Sequence, residues 1–316
     1  MSTAVEPSGV LIVNKPVGMT SHDVVNIVRR LYNTRRVGHA GTLDPLAEGV
    51  LVVLVGRAAK ATEYISHSSK KYRATLRLGL TTDTEDVTGE ILTESTDVPS
   101  AETVIKTAAK FCGRIMQTPP MYSALKVGGQ KLVDLARRGV TVEREAREVT
   151  VFDISCTPTD SNTDYVLDVH CSGGTYIRTL CADIGAKLSC GGVMATLART
   201  EACGFDISRA HTIEALREYD KEALVSLLIP TEELFSDCES VRLPEFYEKL
   251  SRSGCEIYQK KLGTSLPVGA RVRMCGKASE SNKSGFYALG EVIEGEKCKT
   301  PELGSAIKSI KIFDLG

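Results

Sequence analysis

The run Gly38-His39-Ala40-Gly41-Thr42-Leu43-Asp44-Pro45 puts one carboxylate where neither a helix nor a central strand can form. Pro45 has no amide donor and pushes the residue before it out of the helical region, so Asp44 takes turn or extended backbone. Gly38 and Gly41 suit a loop that another molecule approaches closely. A carboxylate held there can serve as nucleophile or base, and it can equally be an Asx turn capping the next segment. Two further residues bear on the choice. Tyr72 lies in an alternating run, with Ala74, Leu76, Leu78 and Leu80 on its own face and Lys71, Arg73, Thr75 and Arg77 on the other, which predicts a strand. Its ring either fills core or offers a face to a nucleobase, where stacking is worth about 1–3 kcal/mol. Arg178 falls in the first turn of a predicted helix, where the helix dipole disfavours a cation. It calls for a carboxylate partner, or it is an exposed arginine in a weak surface pair.

The elements that would hold these residues are legible around them. Val10 to Val13 reads as a buried strand, and Thr20-x-x-Asp23 has capping-box form ahead of a helix with Val24, Ile27, Val28 and Leu31 on one stripe. Gly49 to Val55 is apolar without alternation, as expected of a strand covered on both faces, so Asp44 precedes a rigid core element. Such support matters because a misplacement of about 1 Å can cost of order a hundredfold in rate. Thr81 to Glu90 is acidic and reads as a solvated loop. A helical pattern from Ala101 to Cys112 ends at Gly113, and Gln117-Thr118-Pro119-Pro120 is a second break. Met121 to Gly139, with Lys126, Lys131, Arg137 and Arg138, suits an arm that clamps phosphates. Val166 to Cys171 reads as a strand, Ser172-Gly173-Gly174 as a turn, and the next helix carries Ile177, Leu180, Cys181 and Ile184 as its apolar stripe. Beyond Asp206 two short helical stretches lead to Pro230, and alternating runs fill Leu243 to Gly316.

Composition bounds the function. A chain of 316 residues with 42% hydrophobic and 25% charged residues suits two domains with ordinary cores, and a net charge of -1 excludes a globally basic nucleic-acid binder. Residues 1 to 80 nevertheless carry eleven Lys or Arg against five Asp or Glu, a local surplus of six around the candidate carboxylate. That is the balance an enzyme acting on a polyanion needs, and also that of a merely solvated face. Ten cysteines show neither a CxxC pair nor a Cys/His zinc cluster and read as small buried hydrophobes. The N-terminus lacks the basic start of a secretory signal, and the apolar runs are too short to span a bilayer. The expected setting is the reducing cytoplasm, without a membrane.

GHAGTLDPLAEGVL, preceded by LIVNKPVGMTSHDVV and followed by KKYRATLRLGLTTDTEDVTGE, closely resembles the bacterial tRNA pseudouridine-55 synthase family. QTPPMYSALKVGGQKLVDLARRG, CSGGTYIRTLCADIG and GGVMATLARTEACGF resemble the family's later blocks in the family's order. The resemblance implies an α/β (α+β) fold. A pseudouridine synthase catalytic domain over residues 1–240 would have a mixed, largely antiparallel central sheet and an RNA-clamping insertion at about 117–145, and a small PUA-like β-barrel would occupy 241–316. It makes Asp44 the catalytic carboxylate, Tyr72 the ring under the target uridine and Arg178 the ion-pair partner of Asp44 through two parallel hydrogen bonds. His39 would lie beside the extruded uridine and Leu197 would give the apolar contact to the flipped base. Tyr176 and Lys15 would bind substrate, Lys15 in a structural or phosphate role. Lys131 and Val133 stand where the family more often has Arg and Tyr. The implied partner is the T-stem loop of tRNA, modified at position 55 by a monomer that needs no protein partner, cofactor or metal. Whether Asp44 attacks the ribose or starts an elimination stays open. A tRNA-folding chaperone role is compatible with the same chain. A guide-RNA-dependent synthase and a glycosidase are the weaker alternatives, the latter because no second carboxylate sits in a matching motif.

Overall fold

A computed structural model describes residues 6–123, 125–280 and 282–314 and, for Lys126 and Lys131, the backbone alone. Its larger sheet contains β1 (Gly9–Lys15), β2 (Val37–Ala40), β3 (Ala47–Val55), β4 (Lys70–Leu78), β5 (Gly113–Gln117), β6 (Arg147–Pro158), β7 (Asp164–Cys171), β8 (Gly192–Ala202), β9 (Phe205–Asp206) and β10 (His211–Thr212). The order is β10-β1-β3-β8-β4-β7-β6-β5, with β9 on β8 and β2 on β3. Only β1–β10 and β3–β8 pair in parallel, so the sheet is mixed and largely antiparallel, as expected.

Three helices matter for the site: α1 (Ser21–Leu31), α2 (Ala101–Ala109) and α3 (Ile177–Lys187). The capping box at α1 forms, with the Thr20 hydroxyl accepting from the Asp23 amide and the Asp23 carboxylate accepting from the Thr20 amide. The first residue of α1 also holds the next loop, because Ser21 Oγ accepts from the Leu43 amide at 2.8 Å. Helices α2 and α3 cover one face of β4, where Tyr72, Ala74, Leu76 and Leu78 share a core with Val104, Ala108, Ile177, Leu180, Cys181 and Ile184. The alternation ends at Leu78 rather than Leu80, because Gly79 turns the chain at φ +93°.

The other face of β4 explains part of the basic surplus. Lys71, Arg73 and Arg77 point outward and pair with Glu201, Asp168 and Asp164 on the neighbouring strands. Arg36 pairs with Glu6. These cations are paired with acids, three of them across neighbouring strands, so they do not form a bare surface for a polyanion.

The acidic segment is the larger departure from expectation. Thr81 to Glu90 is not a solvated loop: Leu80–Thr82 pairs with Ile91–Glu94, and Asp86 and Thr82 are buried. Glu85, at φ +63°, accepts through its carbonyl from the Met194 amide near the start of β8, the Val87 amide donates back to the Met194 carbonyl, and the Glu85 carboxylate accepts from Thr179 on α3. Asp86 accepts from Thr84 and Thr88 within the segment, whereas the Glu85 carboxylate is bonded from a helix distant in sequence.

Past the prolines, the 117–145 segment holds a hairpin of Lys126–Val127 with Gln130–Lys131 and a short helix, Leu132–Ala136. Arg138 is engaged within it by Gln130 and the Asp134 carbonyl. The phosphate contacts expected of Lys126 and Lys131 lie outside the described side chains. A second sheet follows: β11 (Glu239–Arg242), β12 (Ile257–Tyr258), β13 (Arg271–Cys275), β14 (Phe286–Ile293) and β15 (Ala306–Ile312), ordered β11-β13-β14-β15-β12. Cys275, Phe286, Leu289 and Phe313 from this part share one apolar cluster with Val10, Val52 and Leu54, so the two sheets are packed together. Among the described residues no helix is long and apolar enough to cross a membrane.

Candidate active site

The site forms where the larger sheet splits. Along one edge β3 pairs with β8 through Ala47–Gly49 and with β2 through Val52–Val55, which leaves a gap at Val50 and Leu51. Arg199 fills it from β8. Its guanidinium, fully buried, donates to the Val50 carbonyl at 2.7 Å and to the Gly41 carbonyl at 3.0 Å. Gly49 is required there, since at φ +100° a Cβ would meet the Arg199 carbonyl oxygen. The loop after β2 emerges from this split and carries Asp44. It is tied to α1 through Leu43, to Gly18 through the Pro45 carbonyl, and to β3 by the Ala47 amide bonding the Asp44 carbonyl. Gly41 supplies the loop's left-handed residue, at φ +83°, whereas Gly38 lies within β2.

Asp44 opens into a cavity of about 250 Å³ whose wall includes Leu43, Tyr72, Ser123, Tyr176, Arg178 and Leu197. That is somewhat below the ~300–1,000 Å³ of pockets that take drug-sized ligands and suits one nucleoside. The Asp44 side chain is 41% exposed and Arg178 only 6%. Arg178 Nη2 lies 2.9 Å from Asp44 Oδ2. The pairing is not the two parallel bonds expected. The same Nη2 also donates to the Tyr122 carbonyl at 2.7 Å, while Nη1 donates to the Thr84 carbonyl at 3.1 Å and lies 3.8 Å from the buried Asp86 carboxylate. The acidic segment and the post-proline loop thus aim the guanidinium.

The helix bearing Arg178 is fixed by an unusual cap. Tyr176 has no capping side chain, and the buried Gln117 amide bonds both its backbone groups, accepting from N at 3.0 Å and donating to O at 3.2 Å. Tyr72 sits opposite Arg199 in register, and Leu197 opposite Ala74, so ring and aliphatic side chain share the cavity face. Burial raises the pKa of the Tyr72 phenol, against the opposing charge of Arg199, and the hydroxyl stays neutral.

The other expected contacts are placed differently. His39 is on β2 and outside the cavity wall, and burial, then the Arg199 charge, lowers its pKa, so the ring is neutral at pH 7. Lys15 is fully buried and donates to the Pro16 and Met19 carbonyls at 2.9 and 2.7 Å. Of the structural and phosphate roles open to Lys15, this geometry supports the structural one, a strut under the α1 entry, over a direct substrate contact. Burial is the main cause lowering its pKa to about 8, with nearby Asp44 opposing. Between that value and the unfolded ~10.4 the unfolded chain binds more protons, so Lys15 makes stability rise with pH through this window. Urea unfolding at pH 7.5 and 9.5 should show wild type gaining stability relative to Lys15→Met; an unchanged difference would refute the buried strut.

Sequence reasoning gave no role to Arg199, Lys70, Ser123, Glu85 or Asp86. Lys70 and Arg199 line the cavity, and burial is the main cause lowering the Lys70 pKa. One signal was available: Arg199 is two residues from Leu197 and so on the apolar face of its strand.

A mixed sheet with a split at a carboxylate loop, flanked by a smaller C-terminal sheet, is the pseudouridine synthase fold with a PUA-like appendage. The fold matches solved structures titled "Crystal Structure of a Cbf5-Nop10-Gar1 Complex" (24% identity, TM-score 0.73, 97% of this chain and 85% of that one) and "Structure of H/ACA RNP bound to a substrate RNA containing 2'-deoxyuridine" (22%, 0.72, 97% and 85%). Residues 29–177 match the TruB family pseudouridylate synthase N-terminal domain, and residues 178–236 match the tRNA pseudouridylate synthase B C-terminal domain. Curated relatives named tRNA pseudouridine synthase B include those of Alkaliphilus oremlandii (42% identical over 267 residues, 84% of this chain and 88% of the relative) and Escherichia coli O1:K1 (39% over 295 residues, 90% and 91%). The chain belongs to the TruB family of pseudouridylate synthases. It is an isomerase that converts uridine in tRNA to pseudouridine.

Proposed function

We propose that the cavity receives the uridine at position 55 in the T-arm loop of tRNA and that Asp44 is the carboxylate that reacts with it. The observation that carries this reading is the Asp44–Arg178 pair, 2.9 Å apart, beside Tyr72 and Leu197 in a nucleoside-sized cavity. The N1–C1′ bond breaks, the uracil turns while held, and C5 bonds to C1′; the C5 proton is lost and N1 gains one. Asp44 acts either by attacking C1′ or by taking a ribose proton to start elimination. The target leaves its stack at a cost of a few kcal/mol, offset by stacking and phosphate contacts. Tyr72 and Leu197 hold the base between them, with Tyr176 at the rim and His39 nearby. Residues 1–240, with the 117–145 segment closing on the RNA, form the catalytic domain, and 241–316 bind RNA through the smaller sheet. The enzyme acts in the cytoplasm as a monomer without guide RNA, protein partner, cofactor or metal, and a tRNA-folding role is compatible with the same surfaces.

Pure protein incubated with an unmodified tRNA transcript, followed by mapping of the modified base, tests reaction, position and independence together. Pseudouridine at position 55 is expected. Product elsewhere overturns the position, and no product overturns independence. The stacking role makes a separate prediction, read by tritium release from 5-tritiated uridine in tRNA. Tyr72→Leu should lower the rate by about tenfold to a hundredfold, the value of one stacked base, while Tyr72→Phe, which keeps the ring, loses much less. Equal losses in the two variants would refute stacking.

A further inference from the structure

Among the described residues, four buried side-chain polar atoms have no hydrogen-bond partner, and only one of them, Ser123 Oγ, belongs to a residue that lines the Asp44 cavity. Ser123 is 5% exposed. Its neighbour Tyr122 gives its carbonyl to Arg178 at 2.7 Å, and its own carbonyl accepts from the Val133 amide at 3.1 Å. The residue is therefore held from both sides, one position along the chain from the group that helps orient the Asp44 partner. Buried hydroxyls are nearly always hydrogen-bonded, and an exception on a cavity wall is accounted for when the partner arrives with the ligand.

We propose that Ser123 Oγ donates a hydrogen bond to a uracil carbonyl of the bound uridine and keeps a carbonyl partner as the base turns. The proposal rests on the reading of the Asp44 cavity as the uridine site. Turning uracil about its N3–C6 line exchanges N1 with C5 and, with them, O2 with O4. A donor that faces one carbonyl before the turn faces the other after it, and a hydroxyl rotates to follow small displacements. Tyr72, Leu197 and Ile177 offer the base apolar surface, and Asp44 is an acceptor that a carbonyl avoids.

The test uses the full chain and tRNA carrying uridine, 2-thiouridine or 4-thiouridine at the target, with single-turnover product measured by nuclease digestion and chromatography. Ser123→Ala should slow the uridine reaction about tenfold, the worth of one hydrogen bond. Its tRNA affinity should stay within twofold, and Ser123→Thr, which keeps the hydroxyl, should recover most of the rate. Sulfur is a poorer acceptor, so wild type should be slowed by at least one thio substitution while Ser123→Ala is not slowed further. Ser123→Ala at the wild-type rate, a wild type indifferent to both thio substitutions, or equal thio effects in both proteins would overturn the contact. Asp44→Asn, run alongside, separates the two readings: if it is active the uridine site itself is wrong, whereas if it is inactive and Ser123→Ala runs at full rate only the serine contact falls.

Discussion

Asp44→Asn is expected to bind tRNA within a few fold of wild type and to make less than about one-thousandth of its pseudouridine. The amide has almost the volume of the carboxylate and can still accept from Arg178, but it neither attacks a ribose carbon nor takes a proton. Folding should survive, because the loop is held by backbone groups: Leu43 on Ser21, Gly18 on Pro45, and Ala47 on the Asp44 carbonyl. Affinity should survive because binding to RNA draws mostly on phosphate contacts spread over the surface, of which this side chain is none. Tritium release read beside filter binding at fixed salt measures both quantities. Product at the wild-type rate would remove Asp44 from the chemistry.

Local physics made much of the scaffold readable. Thr20 and Asp23 announce the start of α1 because both halves of a capping box lie three residues apart, and the unbroken Val50–Val55 run announces a strand buried on both faces. The period of two through Tyr72 holds to Leu78, where Gly79 ends it. What stayed hidden depends on residues far apart in sequence. Nothing local says that β3 changes partner at Val50, so the need for a buried Arg199 across that gap was invisible. Asp83, Glu85, Asp86 and Glu90 look like a water-facing run because residue type carries the hydrophilicity, while Thr179, which bonds Glu85, and Arg178, whose charge lies 3.8 Å from Asp86, are about ninety residues away. Lys15 was legible only as structural or phosphate-binding, since a basic residue before proline allows both, and the bonds of its ammonium to two carbonyls of its own turn support the structural role.

That long-range support makes Arg178→Lys the sharper test of how the carboxylate is aimed. One planar guanidinium serves four groups from three chain segments: Asp44, the Tyr122 carbonyl, the Thr84 carbonyl and Asp86. A lysine carries the same charge on a single nitrogen without the rigid fork, so it can reach the Asp44 side or the Asp86 side but not hold both. If it stays with Asp86, the Asp44 carboxylate loses its fixed position, and a displacement of about 1 Å is worth of order a hundredfold in rate. The expected result is a single-turnover rate down by about a hundredfold, with tRNA affinity little changed. Two part-buried carbonyls would lose their donor at up to about 1–3 kcal/mol each, so urea unfolding should show a loss of a few kcal/mol at most. Removing the charge altogether is less informative, since a buried Asp86 without a counter-charge costs about 3–5 kcal/mol and the variant would fail by unfolding. A folded Arg178→Lys enzyme with the wild-type rate would mean that charge alone suffices and that the fork merely braces three loops.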